Sequence, residues 1–271
     1  MVLAMTLAGM LQSAATGQTT VAGGWNQGRA TYGGLVGALL VARAEALCAD
    51  PGRRLRSAQV SFAGPVEPGP AELAGEVLRA GRSATQVLVR IVQDGQVRAT
   101  LIAIFAAPRM TQIAIASEAR NPRPQLPAPE TVEPMPYLPG VMPSFFAHFD
   151  LRKASGAPYF SGSPQPDFGG WMRFREPLTH FGDRELVALA DAWPPSVMPM
   201  LTGPAAMSTL AWTLEPLAWP DPDQSVPADS FWQYDVRTHA AEYGYANTTA
   251  RIWDAAGRLR ALSHQTVAYF A

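Results

Sequence analysis

Two stretches of the chain share one pattern of apolar and polar positions. Ile91-Val92-Gln93-Asp94-Gly95-Gln96-Val97-Arg98-Ala99 and Ile252-Trp253-Asp254-Ala255-Ala256-Gly257-Arg258-Leu259-Arg260-Ala261 each read as strand, Asp/Gly turn, strand. β-Branched or aromatic residues lead into the turn and alternation follows it, which predicts two hairpins related as an internal repeat. Upstream of each hairpin the pattern predicts further strands, over 55–66 and 74–79 in the first repeat and over 208–219 and 231–238 in the second. Ahead of these lie single predicted helices, 33–48 and 183–193.

The order is a helix and then about four antiparallel strands, twice, without the βαβ alternation of a parallel sheet. The run Gly34-Leu35-Val36-Gly37-Ala38-Leu39-Leu40-Val41-Ala42 is apolar nearly all round, so the first helix is expected to be buried. A curved antiparallel sheet round a buried helix is the hotdog arrangement. The fold class expected is therefore α+β, a double hotdog: two antiparallel sheets, each wrapped round one long helix and joined edge to edge, which removes two exposed strand edges. Between Pro122 and Pro143 there are eight prolines in 22 residues, too dense for a helix or a central strand. The expected organisation is a first half over 1–109, a proline-rich linker over 110–143 and a second half over 144–271.

Composition narrows the function. The net charge is −1 and Lys153 is the sole lysine, which leaves no long basic stripe and argues against a nucleic-acid partner. The apolar N-terminus, 1–11, lacks a basic leader and cleavage pattern, and the run 35–42 is too short to span a bilayer, so no membrane partner and a cytoplasmic location are expected. Cys48 is the only cysteine, ruling out a disulfide or cysteine zinc site within one chain; it reads as core packing at the end of an apolar helix rather than as a catalytic thiol. His148 and Asp150 are expected on one strand face, but two ligands without a third do not make a metal site, and His180, His239 and His264 stand in unrelated sequence contexts. No metal and no cofactor are expected. A Gly-x-Ser-x-Gly elbow, a phosphate loop with lysine, a His-Glu-x-x-His and a dinucleotide fingerprint are all missing from the sequence.

Several blocks along the chain, taken in order, resemble the acyl-CoA thioesterase II group of double hotdog proteins. They include Trp25-Asn26-Gln27-Gly28, Thr31-Tyr32-Gly33-Gly34 and Ser57-Ala58-Gln59-Val60-Ser61-Phe62-Ala63-Gly64-Pro65-Val66. Further along come Leu78-Arg79-Ala80-Gly81-Arg82-Ser83, Trp171-Met172-Arg173-Phe174-Arg175, Leu189-Ala190-Asp191-Ala192-Trp193-Pro194-Pro195 and Gly257-Arg258-Leu259-Arg260-Ala261-Leu262-Ser263-His264-Gln265. The resemblance implies hydrolysis of an acyl-CoA thioester to free acid and CoA. It also implies that an Asp on the second-half helix, a Thr or Ser on the following strand and a Gln on the last strand position and activate a water; by pattern these fall on Asp191, Thr209 and Gln265. Ser208 adjoins the Thr position, and the strand after it departs from the family's His-rich version.

The residue chemistry can be weighed separately. Asp191 falls in the last turn of the predicted second helix, where an acid opposes the macrodipole at a cost of about 0.3–1 kcal/mol; either a solvated surface acid or a functional one accounts for it. The helix itself is expected to be capped by Asp183 and stopped by Pro194-Pro195. Thr209 and Gln265 supply a hydroxyl and an amide able to hold one water, although both residue types are ordinary in strands. Aligning the repeats by sequence sets Ala58 against Thr209 and Ala103 against Gln265, so one working site per chain is expected. Tyr32, Gly33 and Gly34 at the first helix start could present backbone N–H groups to a substrate oxygen, or the glycines could serve tight packing; both explanations stand. Arg79 and Arg82, or Arg53, Arg54 and Arg56, suit either CoA phosphates or a solvated surface. Two other functions fit the same architecture: a non-catalytic acyl-CoA or lipid-binding protein, and an enoyl-CoA hydratase. The second pairs Asp with His five residues on, where this chain has Ser196. Self-association into a homo-oligomer is left open by the sequence.

Overall fold

The computed structural model describes residues 6–113, 115, 120–217 and 226–270. The chain divides into two compact units, and its path crosses between them more than once. The first comprises Met1–Met110, Leu138–Ala147 and Gly182–Ala188; the second comprises Thr111–Tyr137, His148–Phe181 and Leu189–Ala271.

The first unit opens with helix α1 (Leu7–Ala15), a feature the sequence reading did not anticipate. Thr6 caps it, accepting the Gly9 N–H at 3.2 Å, and Leu7, Met10, Leu11 and Ala14 form its buried side. Residues 1–5 of the apolar N-terminus lie outside the described residues. The strands β1 (Gln18–Val21), β4 (Arg54–Phe62), β5 (Gly69–Ala80), β6 (Ala84–Gln93) and β7 (Gln96–Ala106) run in the order β1-β5-β6-β7-β4, every observed pairing antiparallel. The short β2 (Asn26–Gln27) and β3 (Ala30–Thr31) pair with each other. Helix α2 (Gly33–Cys48) packs on this sheet, and Gly34 through Ala42 are all buried, as the all-round apolar pattern requires. The predicted β6–β7 hairpin turns on Asp94 and Gly95 with φ of 52° and 69°, the paired left-handed geometry of a type I′ turn.

In the second unit β8 (Phe149–Ser155), β9 (Phe168–Phe174), β10 (Ala206–Pro216), β11 (Trp232–Glu242), β12 (Tyr245–Trp253) and β13 (Leu259–Phe270) run in the order β10-β13-β12-β11-β9-β8, again antiparallel. The end of the predicted strand 208–219 lies outside the described residues. Asp254 organises the second repeat hairpin: its buried carboxylate accepts from the Arg258 backbone N–H at 3.0 Å and from the Arg258 and Arg260 guanidinium groups at 3.0 and 2.7 Å. Residues 122–143 are almost free of regular structure, apart from one helical turn at Pro129–Thr131, as dense proline dictates.

Three expectations change. The second helix, α3, is short, spanning Asp183–Ala190 rather than 183–193, and among the described residues only the first unit has a long helix on its sheet. Pro194 pushes only Trp193 out of the α region; the helix ends earlier, where a tight turn sets the Ala192 N–H on the Leu189 carbonyl at 3.0 Å. Asp183 does not act as the α3 cap. Its Oδ2 accepts the Leu55 N–H at 3.2 Å and Arg54 Nε at 3.3 Å, satisfying the start of β4, and Glu185 instead accepts the Gly182 N–H at 2.8 Å. His148 ends a short helical turn and so does not share a strand face with Asp150, whose carboxylate is held by Arg152 and Arg173 at 3.0 Å each. Among the described residues no group of three or more His, Cys, Asp or Glu is placed to hold a metal, and no helix is long and apolar enough to cross a membrane.

Candidate active site

The second unit brings together residues that lie far apart in the sequence. After α3 the chain tightens, with Ala192 N–H donating to the Leu189 carbonyl at 3.0 Å, and Asp191 emerges at the turn, half-buried. The following residue pair anchors this turn. The Trp193 ring stacks on Tyr234 of β11 with centroids 5.8 Å apart and tilts against Phe168 of β9 at 5.4 Å. It sits over Gly170 so closely that a Cβ there would lie 2.7 Å from the indole and 2.4 Å from the Arg152 carbonyl oxygen. Burial first, and then the Asp191 carboxylate, raise the Tyr234 hydroxyl well above the usual phenol range.

Held in this way, Asp191 accepts a hydrogen bond from the Gln265 amide, Nε2 to Oδ1, at 2.6 Å. The reverse amide orientation would set two oxygens against each other, so the amide oxygen of Gln265 faces away from the carboxylate and remains an acceptor. Thr209 stands on β10, opposite Val267 of β13, and Val267 lies two residues beyond Gln265 on the same strand face. Thr209 and Gln265 are thus diagonal neighbours on one face of the sheet, a placement that leaves Cα atoms about 7–8 Å apart. Among the described residues no hydrogen bond links the Thr209 hydroxyl to Asp191 or Gln265. The three side chains sequence and resemblance select therefore occupy one face of one unit, two of them in direct contact.

The bulges in β4 and β10 correct the alignment of the repeats. In β4 the register slips between Leu55 and Ser57, and in β10 between Thr209 and Ala211. Matching bulge to bulge sets Leu55 opposite Phe105 against Thr209 opposite Val267, and Ala58 opposite Ala103 against Trp212 opposite Gln265. Thr209 thus corresponds to Leu55 rather than Ala58, while Ala103 keeps its correspondence with Gln265. The sequence comparison missed this because a bulge adds one residue to one strand without a compositional mark.

The same correspondence exposes residues that sequence reasoning passed over. Gln265 also pairs with Thr248 of β12, and Thr248 with Thr238 of β11. Their counterparts in the first unit are Val87 opposite Ala103 and Val77 opposite Val87. A row that is wholly apolar in the first unit is polar in the second. Ser196, buried, joins its far end through a 2.7 Å hydrogen bond to the Thr238 hydroxyl. The only signal in the sequence was threonine in a strand, which is too common to single out.

The first unit, taken by itself, carries the Tyr32-Gly33-Gly34 start of α2. The Tyr32 N–H donates to the Trp25 carbonyl at 2.7 Å and its hydroxyl donates to the Ala188 carbonyl at 2.8 Å, so both are committed to the fold. A Cβ on Gly34 would lie 2.4 Å from the Tyr32 hydroxyl oxygen, which gives glycine a packing reason at that position. Tyr32 provides no side-chain cap, and among the described residues the Gly33 and Gly34 N–H groups have no acceptor. Of the arginines considered for phosphate, Arg53 pairs with Asp50 at 2.8 Å and Arg54 with Asp183 at 3.3 Å, whereas Arg79 and Arg82 are exposed. Cys48 is half-buried at the end of α2. His239 and His264, remote in sequence, both bond the Thr249 hydroxyl, at 2.8 and 3.2 Å, on exposed positions of the second unit.

Comparison with known proteins agrees with this architecture. No curated protein matches the chain. A solved hotdog-fold protein of unknown function from Alicyclobacillus acidocaldarius superposes with a TM-score of 0.81 at 22% identity, covering 96% of this chain and 98% of its own. The acyl-CoA thioesterase II TesB2 from Mycobacterium marinum superposes with a TM-score of 0.71 at 19% identity, covering 93% and 92%. The dehydratase domain of RzxB from Pseudomonas fluorescens also superposes, with a TM-score of 0.51 at 13% identity over 96% and 90%. Structural likeness at these identities establishes the hotdog fold and is shared by more than one chemistry. The family assignment comes from the sequence: residues 21–106 match the acyl-CoA thioesterase N-terminal domain and residues 129–269 match the acyl-CoA thioesterase C-terminal domain. The chain belongs to the acyl-CoA thioesterase family.

Proposed function

We propose that this chain is a double hotdog acyl-CoA thioesterase that hydrolyses its substrate to free acid and CoA with a water activated by Asp191, Thr209 and Gln265. The observation that carries the reading is the 2.6 Å hydrogen bond between Gln265 and Asp191 on a sheet face whose counterpart in the first unit is apolar. Gln265 fixes the carboxylate and keeps its amide oxygen free. The water donates one hydrogen to Asp191 and one to the Gln265 oxygen, and accepts from Thr209; its remaining lone pair is aimed at the thioester carbon. Asp191 takes the proton as the carbon–oxygen bond forms, the tetrahedral intermediate expels the thiolate, and Asp191 returns the proton to sulfur.

Thiol release from a panel of acyl-CoA thioesters, followed with a thiol reagent, tests this reading. Hydrolysis liberates CoA from at least one thioester, and Asp191→Asn lowers kcat by about 10²–10⁴ while the fold is retained. Loss of enoyl absorbance without thiol would make the protein a hydratase, and binding without either change would make it a carrier.

A further inference from the structure

We infer that Thr248 selects acyl thioesters that carry an oxygen substituent close to the carbonyl, a deepening of the thioesterase reading that rests on it. Thr248 lies directly opposite Gln265 on the neighbouring strand, with its side chain on the same face. It is 9% exposed, and among the described residues its hydroxyl has no hydrogen-bond partner, yet it is not among the oxygens wholly sealed from solvent. A hydroxyl that no protein group engages and that solvent still reaches can exchange water for a polar group of a bound ligand, and it is left unpaired when an apolar group displaces that water. The fold itself does not need this group, because Val87, of nearly the same shape, fills the corresponding position in the first unit and is fully buried.

The hydroxyl has no place at the attacking water. That water has two hydrogens and two lone pairs, and Asp191, the Gln265 oxygen, Thr209 and the thioester carbon use all four. Thr238, the next residue along the row, is already bonded to Ser196. Thr248 alone in the row is both free and beside the reacting centre, one strand spacing of about 4.8 Å from Gln265. A hydroxyl or keto oxygen on the third carbon of the acyl chain lies at a comparable reach from the carbonyl, and the Thr248 hydroxyl can donate to either and accept from the first. An unsubstituted chain leaves the hydroxyl unpaired, which is the arrangement by which a polar site discriminates against the analogue lacking the group.

The test compares 3-hydroxyacyl-CoA with the unsubstituted acyl-CoA of the same length, at a length the wild type hydrolyses, and reads the ratio of their kcat/KM values. Thr248→Val is expected to lower that ratio about five- to tenfold in favour of the unsubstituted chain, the worth of one neutral hydrogen bond, and Thr248→Ser to preserve it. Equal proportional losses on both substrates in Thr248→Val, or an unaltered ratio, would overturn the inference while leaving the hydrolytic reading intact. Failure of the wild type to release thiol from any thioester would remove the hydrolytic reading, and this inference with it.

Discussion

Glu45 offers a prediction whose size follows from its surroundings. It lies on α2, half-buried, and its carboxylate meets the Arg184 guanidinium at the start of α3. Burial raises its pKa from 4.5 to about 7; Arg184 opposes that rise, and the neighbouring Asp183 and Glu185 add to it. Because the folded pKa lies above the unfolded one, the folded state holds a proton between roughly pH 4.5 and 7 that the unfolded state has released. The associated stability is therefore fully present below pH 4.5 and is lost as pH rises through 7. At 1.36 kcal/mol per pKa unit the full difference would be about 3 kcal/mol, and the solvent still reaching the 23% exposed side chain reduces this to about 2 kcal/mol. Glu45→Gln removes the titration and keeps the shape. Urea denaturation of both proteins at pH 5 and pH 8 should show the variant gaining about 2 kcal/mol on the wild type between the two conditions, which cancels every other group that titrates equally in both. Parallel pH profiles, or a wild type that gains on the variant as pH rises, would mean that Arg184 outweighs burial and would refute the reasoning.

Two further outcomes test the packing and charge balance of the second unit. Gly170→Ala drives a methyl into the Arg152 carbonyl and the Trp193 ring, so it should destabilise by about 2 kcal/mol and lower the Tm by about 4–8 °C, measured by thermal unfolding. Asp254→Asn withdraws the charge from Arg260, which is only 3% exposed, and should cost about 3 kcal/mol in urea denaturation; a loss below about 1 kcal/mol would show that the Asp254 charge is not what holds these arginines.

The parts of the fold written in local chemistry were legible in the sequence. The Asp94-Gly95 turn and the all-apolar α2 follow from residue type and period alone, and the structure has both. Pro194 accounts for Trp193 alone; the end of α3 at Ala190, three residues before the expected stop, comes with a tight turn at Leu189–Ala192 that no residue type marks. The contact between Asp191 and Gln265 joins residues 74 positions apart, so only the resemblance could bring them together before the structure did. Thr248 and Thr238 were invisible for a different reason. Which face a strand residue occupies depends on bulge positions, and the slips at Thr209/Ala211 and Thr238/Ala240 leave no trace in composition. His239 and His264 likewise meet at Thr249 only because the sheet sets their strands on either side of β12.

The most direct test of the proposed chemistry follows an oxygen atom. With enzyme in excess over an acyl-CoA it hydrolyses, a single turnover in water enriched in heavy oxygen should deliver that isotope into the product acid, as the proposed direct attack of water on the thioester requires. Product acid free of the heavy isotope in that first turnover, with the label found instead on the Asp191 carboxylate, would mean that Asp191 attacks as a nucleophile through an acyl-enzyme, and would contradict the account.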